Sequence, residues 1–143
     1  MPYDPALVQP MRDELTRIGV AELATAEDVD AFLAERPGIS MIVVNSVCGC
    51  AAGMARPGVR LALGHSLRPD RVGSVFAGQD VEATARARAR FAEYPPSSPS
   101  VALFRDGKIV WFLPRHRIEG RTPEAVAAEL TKAFEAHCGA PKS

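Results

Sequence analysis

The sequence lacks the features that would assign a protein to a membrane or to nucleic acid. No apolar run approaches the ~18 residues of a membrane-spanning helix, and residues 1–5 do not begin a charged and then apolar leader. Seventeen basic residues balance seventeen acidic ones, so no bulk charge attracts nucleic acid or an acidic membrane. Arg86, Arg88 and Arg90 do not share one face of a helix, so they are interpreted as a solvated surface. We therefore expect a cytoplasmic protein without nucleic-acid or membrane partners.

Cysteine is also scarce, with three in 143 residues, and two of them are close together. Thiols in the cytoplasm are mostly kept reduced, so closely spaced cysteines there are more often catalytic or metal-binding than structural. Residues 39–44 form a continuous apolar run that predicts a buried central strand. Cys48, Gly49 and Cys50 follow it, just before small residues suited to a helix. We interpret this turn as the site of a redox-active thiol.

The spacing of Cys48 and Cys50 indicates how they react. Positions two apart point to opposite sides of a helix, so the thiols pair only if the backbone bends at Gly49, which has no β-carbon. A disulfide between them is expected to be strained and easily reduced, which suits exchange or isomerisation. If a helix begins near Cys48 or Gly49, its free N–H groups and dipole lower the thiol pKa from about 8.5. Cys48 is then the exposed nucleophile, and Cys50 either attacks a mixed disulfide on Cys48 or is dispensable.

Two other interpretations of this pair are structural packing and a metal site. Cysteines are often buried as small apolar residues, but a pair around a glycine at a strand-to-helix turn favours redox chemistry. Thiolates also bind zinc, copper and iron–sulfur clusters, yet no second Cys pair or Cys/His cluster lies near Cys48 and Cys50 in the sequence. No metal is expected. The third cysteine, Cys138, has no evident partner and is assigned no role.

The remaining pattern alternates helices and strands, in a chain long enough for one domain with a real core. Helices are predicted at 5–18, 26–33, 51–63, 81–94 and 123–138, and strands at 39–44, 72–77, 101–104 and 109–113. Pro57 should kink or split the third helix, whereas Val81, Ala85 and Phe91 should face inward from the fourth. The last two strands flank a turn signal at 105–108 and form an antiparallel hairpin.

From about residue 37 onward, this order of strand, redox turn, helix, strand, helix, proline-led hairpin and closing helix resembles the thioredoxin fold. Within that superfamily, several stretches resemble the bacilliredoxin family nearly end to end: residues 11–12, 14–15, 48–53, 77–80, 96–100 and 115–120. The resemblance implies an α/β, thioredoxin-like three-layer fold with a mixed four-stranded sheet, helices on both faces and an added N-terminal helix. We expect a single domain over residues 1–143, made of a helical extension (1–36), a core (37–138) and a loose tail (139–143).

The same resemblance implies a thiol–disulfide oxidoreductase that removes bacillithiol from S-bacillithiolated client proteins by exchange through Cys48. No cofactor would be bound; bacillithiol would act as thiol co-substrate, and a separate disulfide reductase would regenerate it. A general disulfide isomerase or reductase of the same fold would use identical residues, and a metal-binding or non-catalytic thioredoxin-like module is a further alternative. The host's thiol, the client proteins and the oligomeric state are left open.

By this resemblance, Pro99 corresponds to the cis-proline that faces the redox turn, and Gly49, Ser98 and Pro99 are expected to contact substrate. An X–Pro bond in cis costs only ~0.5–1 kcal/mol more than in trans, so a cis Ser98–Pro99 bond is plausible; the alternative is an ordinary trans proline at the start of a strand.

The hairpin that starts at Pro99 doubles back, so Arg115, His116 and Arg117 should border the active-site end. There they would bind the carboxylates of bacillithiol or favour the thiolate, unless they form a solvated loop. Gln79 and Asp80 should lie at the same end because they follow a parallel strand, and Asp80 is expected to cap the next helix.

Overall fold

The structure is a computed structural model that describes residues 3–34, 37–47 and 49–138, with the backbone alone for residues 49 and 50. Its helices are α1 (Pro5–Thr16), α2 (Ala26–Leu33), α3 (Gly49–Ala62), α4 (Val81–Ala89) and α5 (Pro123–His137). Its strands are β1 (Ala21–Glu22), β2 (Ile39–Asn45), β3 (Arg71–Phe76), β4 (Ser100–Arg105) and β5 (Lys108–Leu113). A 3₁₀ turn at Arg115–Arg117 follows β5.

The strands form one mixed sheet in the order β1-β3-β2-β4-β5. β1 and β2 each run parallel to β3, whereas β2 with β4 and β4 with β5 are antiparallel pairs. The expected α/β class is confirmed, but the sheet formed by the described residues has five strands rather than four. The additional strand, β1, is only two residues long, too short for an alternating pattern to be read from the sequence.

Two hydrophobic cores lie on opposite faces of the sheet. β2 is buried along its whole length, and its side chains alternate so that Met41 and Val43 enter one core while Ile42 and Val44 enter the other. The first core is covered by α3, α5 and Leu15 of α1; the second is covered by α2 and α4. This is the three-layer arrangement that was expected, with the central strand buried on both faces.

The helix ends follow local chemistry, and two details of the helices differ from expectation. Thr25 and Asp28 form a capping box at the start of α2, and the Thr122 hydroxyl accepts a hydrogen bond from the Ala125 N–H at the start of α5. α3 continues through Pro57, so the predicted split does not occur, and the alternative of a kink stays a prediction. α4 ends at Ala89, before Tyr94.

The buried face of α4 was predicted incorrectly. Val81 is 62% exposed, and Ala85 is exposed as well. The helix packs instead through Ala83, Thr84 and Ala87, with Phe91 buried beyond its end as predicted. Small residues face the core because α4 lies against α2, where a larger side chain would hold the helices apart. Across the described stretches, no helix is both long and apolar enough to cross a membrane.

Candidate active site

The cysteine turn lies between the carboxyl end of β2 and the start of α3. β2 ends at Asn45 and α3 begins at Gly49, so a helix starts where the sequence predicted one. Cys48 lies outside the described residues, and for Gly49 and Cys50 only the backbone is described. The expected roles of these three residues therefore stay predictions.

The loop before β4 reaches the same end of the sheet. β2 and β4 are antiparallel with Val44 opposite Ser100, so the residues just before Ser100 lie beside the end of β2. The Ser98–Pro99 peptide bond is cis, as the resemblance implied, and Pro99 is buried. The sequence thus located the cis-proline correctly, whereas its contact with substrate stays a prediction.

Arg115 is bound to this cis-proline loop. Its backbone N–H donates to Ser97 Oγ at 3.2 Å, and its Nη1 donates to the Ser98 carbonyl at 3.3 Å. Its Nε also donates to Glu119 at 2.9 Å. The residues after β5 therefore border the loop, as the hairpin topology predicted. Arg115 holds the backbone directly before Pro99 in place.

Arg88 holds the same loop from α4. Its Nη2 donates to the Ser97 carbonyl at 3.3 Å, and the Ser100 hydroxyl donates to that carbonyl at 3.0 Å. Burial lowers the pKa of Arg88 from its ordinary value. The interpretation of these arginines as a solvated surface holds for Arg86, which is exposed and pairs with Asp30. It was wrong for Arg88 and for Arg90, which is also half-buried and donates to the Gly107 carbonyl.

A groove of about 540 Å³ adjoins the loop on the side of β5. The rings of Tyr94 and Phe112 stack there at 4.7 Å between centroids. His116, which was expected to contact substrate, is exposed at this groove. The other lining residues are Pro95, Pro96, Ser97, Pro114, Arg115, Arg117 and Glu119. An apolar surface bordered by cations can accept a ligand or peptide that carries both apolar and acidic groups.

Arg56 is a functional candidate that the sequence did not reveal. Its Nε donates to Glu14 at 2.8 Å, and its Nη1 donates to Asn45 Oδ1 at 3.1 Å and to the Ser46 carbonyl at 2.8 Å. Asn45 Nδ2 reaches the Met11 carbonyl at 3.2 Å. This network joins α1, α3 and the segment leading to Cys48. The only signal in the sequence was a polar Asn45 at the end of an apolar strand.

Asp80 does not have the capping role that was expected. It occupies the N-cap position of α4, but its side chain makes no capping hydrogen bond. Both of its oxygens instead accept hydrogen bonds from the Arg12 guanidinium at 2.9 Å. Arg12 also pairs with Glu22 at 3.0 Å and lies 5.2 Å from the centre of the Phe76 ring. The hydrogen bond to Asp80 raises the pKa of Arg12, and the cluster fastens α1 to the end of β3.

Comparison with known proteins decides the family. Residues 3–138 match the family model described as disulphide isomerase. The chain belongs to this family. It is 52% identical over 138 residues to a bacilliredoxin from Koribacter versatilis, covering 96% of this chain and 95% of that protein. It is 53% identical over 133 residues to a bacilliredoxin from Cytophaga hutchinsonii, covering 93% and 98%.

The fold of this disulphide isomerase family member is that of thioredoxin. A thioredoxin from Malassezia sympodialis superposes with a TM-score of 0.60 at 13% identity, covering 85% of this chain and 92% of that one. The bacilliredoxin resemblance and the thioredoxin-like fold read from the sequence are thereby confirmed. The protein is a thiol–disulfide oxidoreductase.

The third cysteine is a poor nucleophile for family chemistry. Cys138 is a free thiol at the end of α5, where burial and the nearby Asp70 carboxylate raise its pKa to about 11, against a smaller opposing effect of Arg105. Below that pH it is protonated and unreactive. Among the side chains that the structure describes, no three His, Cys, Asp or Glu residues cluster as a metal site would require.

Proposed function

We propose that the protein removes bacillithiol from S-bacillithiolated client proteins, with the Cys48 thiolate as nucleophile. One observation carries the proposal: the 14-residue helix α3 begins at Gly49, directly after Cys48, at the sheet end where the cis-proline loop lies. The free N–H groups and positive dipole of a helix start favour a thiolate over a thiol. The name bacilliredoxin, which the relatives carry, supports bacillithiol as the co-substrate.

The reaction consists of two thiol–disulfide exchanges. In the first, the Cys48 thiolate attacks the bacillithiol sulfur of the mixed disulfide, and the client cysteine leaves as a thiolate. Cys48 then carries bacillithiol in a new mixed disulfide. In the second, Cys50 attacks the Cys48 sulfur, which releases bacillithiol and leaves a Cys48–Cys50 disulfide that two further molecules of bacillithiol reduce. Alternatively, free bacillithiol attacks the bound bacillithiol sulfur, which frees the Cys48 thiolate and forms bacillithiol disulfide. The protein binds no redox cofactor; a separate bacillithiol disulfide reductase supplies the electrons.

The cis-proline loop and the groove beside it bind different parts of the substrate, the client protein and bacillithiol. Ser98 and Pro99 would align the client backbone with the thiolate, and Arg115 would hold them in place through the Ser98 carbonyl. His116, exposed at the groove, would bind a carboxylate of bacillithiol. Because the exchange consumes reduced thiol, we place the protein in the cytoplasm, with S-thiolated proteins as its partners.

The experiment that tests the proposal follows release of bacillithiol from a bacillithiolated protein. Cys48→Ser should abolish release, whereas Cys50→Ser should slow it or leave it intact. Cys138→Ser is the matched control and should exchange at the wild-type rate, since its thiol is protonated at neutral pH. Full activity in Cys48→Ser would refute the assignment of the nucleophile.

General disulfide isomerisation is a second candidate, because the matching family model bears that name. It requires the same thiolate but a different substrate. Wild-type protein should therefore also be given a glutathionylated protein and one with scrambled disulfides. Faster turnover of the bacillithiolated substrate supports the first function, and preference for the scrambled substrate supports the second.

A further inference from the structure

The segment that leads into the cysteine turn is held by a buried cation. Arg56 is only 8% exposed, and its Nη1 donates to the Ser46 carbonyl and to Asn45 Oδ1. The same Oδ1 accepts the Ser46 N–H at 2.9 Å. Arg56 and Asn45 thus bind both backbone polar groups of Ser46, the second residue before Cys48.

Chain connectivity limits how far this cation can be from residue 48. Two residues of extended chain span about 7 Å, so the guanidinium at the Ser46 carbonyl is on the order of 10 Å or less from that residue. A guanidinium is charged at every pH at which the protein is folded. Where solvent is largely excluded, its charge is weakly screened and acts over this distance.

Glu14 opposes this charge from the solvent side. It accepts from Arg56 Nε at 2.8 Å, but its side chain is 47% exposed, against 9% for Arg56. Water therefore screens the carboxylate more than the guanidinium, and the net field toward the turn is positive. Arg17 and Arg60 line the same cleft but are exposed.

The other cations described at this end of the sheet are Arg12 and Arg115, which have acidic partners, and Arg88, which donates to the Ser97 carbonyl of the cis-proline loop rather than to an acid. Arg12 is paired with Asp80 and Glu22, and Arg115 is paired with Glu119. On this side of the turn, the pair whose positive charge is only partly neutralised is the one between Arg56 and Glu14.

We infer that Arg56 is a positioning residue for the exchange reaction: it holds the Ser46 carbonyl and supplies a fixed positive charge that stabilises the Cys48 thiolate, and Glu14 limits that effect. The inference rests on the proposed role of Cys48. It assigns two residues of α1 and α3 to the control of one thiol pKa. It also explains why an arginine is buried beneath the turn rather than an apolar residue, which would fill the space without charge.

Alkylation of the Cys48 thiol by iodoacetamide, measured as a function of pH in the full chain, tests this inference. A Cys50→Ser background leaves Cys48 as the thiol that reacts near neutrality, because the pKa of Cys138 is raised to about 11. Arg56→Met should raise the pKa of Cys48 by about half a unit to one unit, less than the 1–3 units of a charge at 4–6 Å. Glu14→Gln should lower it, because the remaining guanidinium is then unopposed.

The opposite signs of these two shifts distinguish a charge effect from a loss of structure. If Arg56 only braced the turn, removing either partner would loosen it and move the pKa in the same direction. Arg56→Lys keeps the charge and should therefore leave the pKa of Cys48 close to its wild-type value. If Arg56→Met does not fold, the pKa in Arg56→Lys decides whether the charge is what acts. Arg60→Met is the matched control: it removes the same charge four residues later from an exposed position and should cause no resolved shift.

Shifts of the same sign, or no shift in the Arg56 variants, would overturn the inference. Failure of the proposed function looks different, because it would appear as wild-type protein that does not release bacillithiol while the alkylation pKa still responds to Arg56 and Glu14. In the reverse result, bacillithiol is released normally but the pKa of Cys48 does not respond to Arg56 or Glu14. That result would support the proposed function and refute the role of Arg56.

Discussion

At the scale of single residues, the ion pair between Arg12 and Asp80 is one of the contacts that fasten α1 to the sheet. Both side chains are nearly buried, at 12% and 11% exposure, and two hydrogen bonds of 2.9 Å join them. Removing one partner of such a pair leaves a poorly solvated charge, which costs up to about 3–5 kcal/mol when burial is complete. Here Glu22 remains to neutralise part of the Arg12 charge.

Asp80→Asn should therefore lower the free energy of unfolding by about 2 kcal/mol. Urea unfolding followed by far-UV circular dichroism measures the change. Asp30→Asn is the matched control, because Asp30 also pairs with an arginine, Arg86, but both side chains are close to half exposed. That variant should lose less than about 1 kcal/mol. Equal losses in the two variants would show that burial of the Arg12 pair contributes nothing.

Residues whose position follows from topology could be found in the sequence, and residues that depend on distant partners could not. A hairpin that starts at Pro99 returns its second strand to the same end, which placed Arg115 correctly beside Ser98. Arg56 and Asp80 bind residues 42 and 68 positions away, and local sequence holds no trace of such a pairing. Arg56 was therefore assigned no role beyond its place beside Pro57, and Asp80 was assigned the local role of a helix cap.

At the scale of elements, the contact between α3 and α5 depends on the absence of a side chain at Gly58. A β-carbon there would lie 2.7 Å from Val126 Cγ1, 2.8 Å from Val126 Cβ and 3.2 Å from the Pro123 carbonyl. Two of these atoms cannot move by a change of rotamer, so one helix must shift. Overpacking of this kind costs about 1–3 kcal/mol, which exceeds the ~1 kcal/mol that alanine gains over glycine in a helix.

Gly58→Ala should therefore destabilise the protein by about 1 kcal/mol, measured as a lower midpoint of thermal unfolding. Gly53→Ala is the matched control in the same helix: Gly53 is exposed, and a β-carbon added there would have no neighbouring atom within 4 Å. That variant should gain about 0.5–1 kcal/mol from helix propensity. Stabilisation by both substitutions would mean that α3 and α5 are not in close contact.

Elements with local signals were predicted well. Thr25 and Thr122 cap their helices through residues three positions along the chain, and the predicted turn between β4 and β5 has positive φ at Asp106 and Gly107, 52° and 84°. The buried face of α4 was missed because hydrophobic periodicity selects large apolar residues such as Val81. Close packing against α2 favours alanine instead, and a search for large apolar residues at helical spacing does not detect that preference.

At the scale of the whole molecule, the two hydrophobic cores share one sheet and cannot unfold separately without breaking it. β2 contributes alternate residues to each core and hydrogen-bonds to β3 and β4 along its length. Trp111, the single tryptophan, packs against the core that contains α3 and α5. Its fluorescence therefore reports on that face, while far-UV circular dichroism reports on helices of both faces.

A substitution on the opposite face should move both signals together. Ile42→Val removes one methylene from the core under α2 and α4, which should cost about 0.5–1.5 kcal/mol. The urea midpoints of Trp111 fluorescence and circular dichroism should fall by the same amount, as in a two-state transition. Ile39→Val is the matched control, the same change on the same strand toward the Trp111 face, and should give the same coincidence. A shared sheet transmits the destabilisation of either face to the other. If Ile42→Val lowered the circular dichroism midpoint while Trp111 fluorescence kept the wild-type midpoint, the two cores would therefore unfold independently.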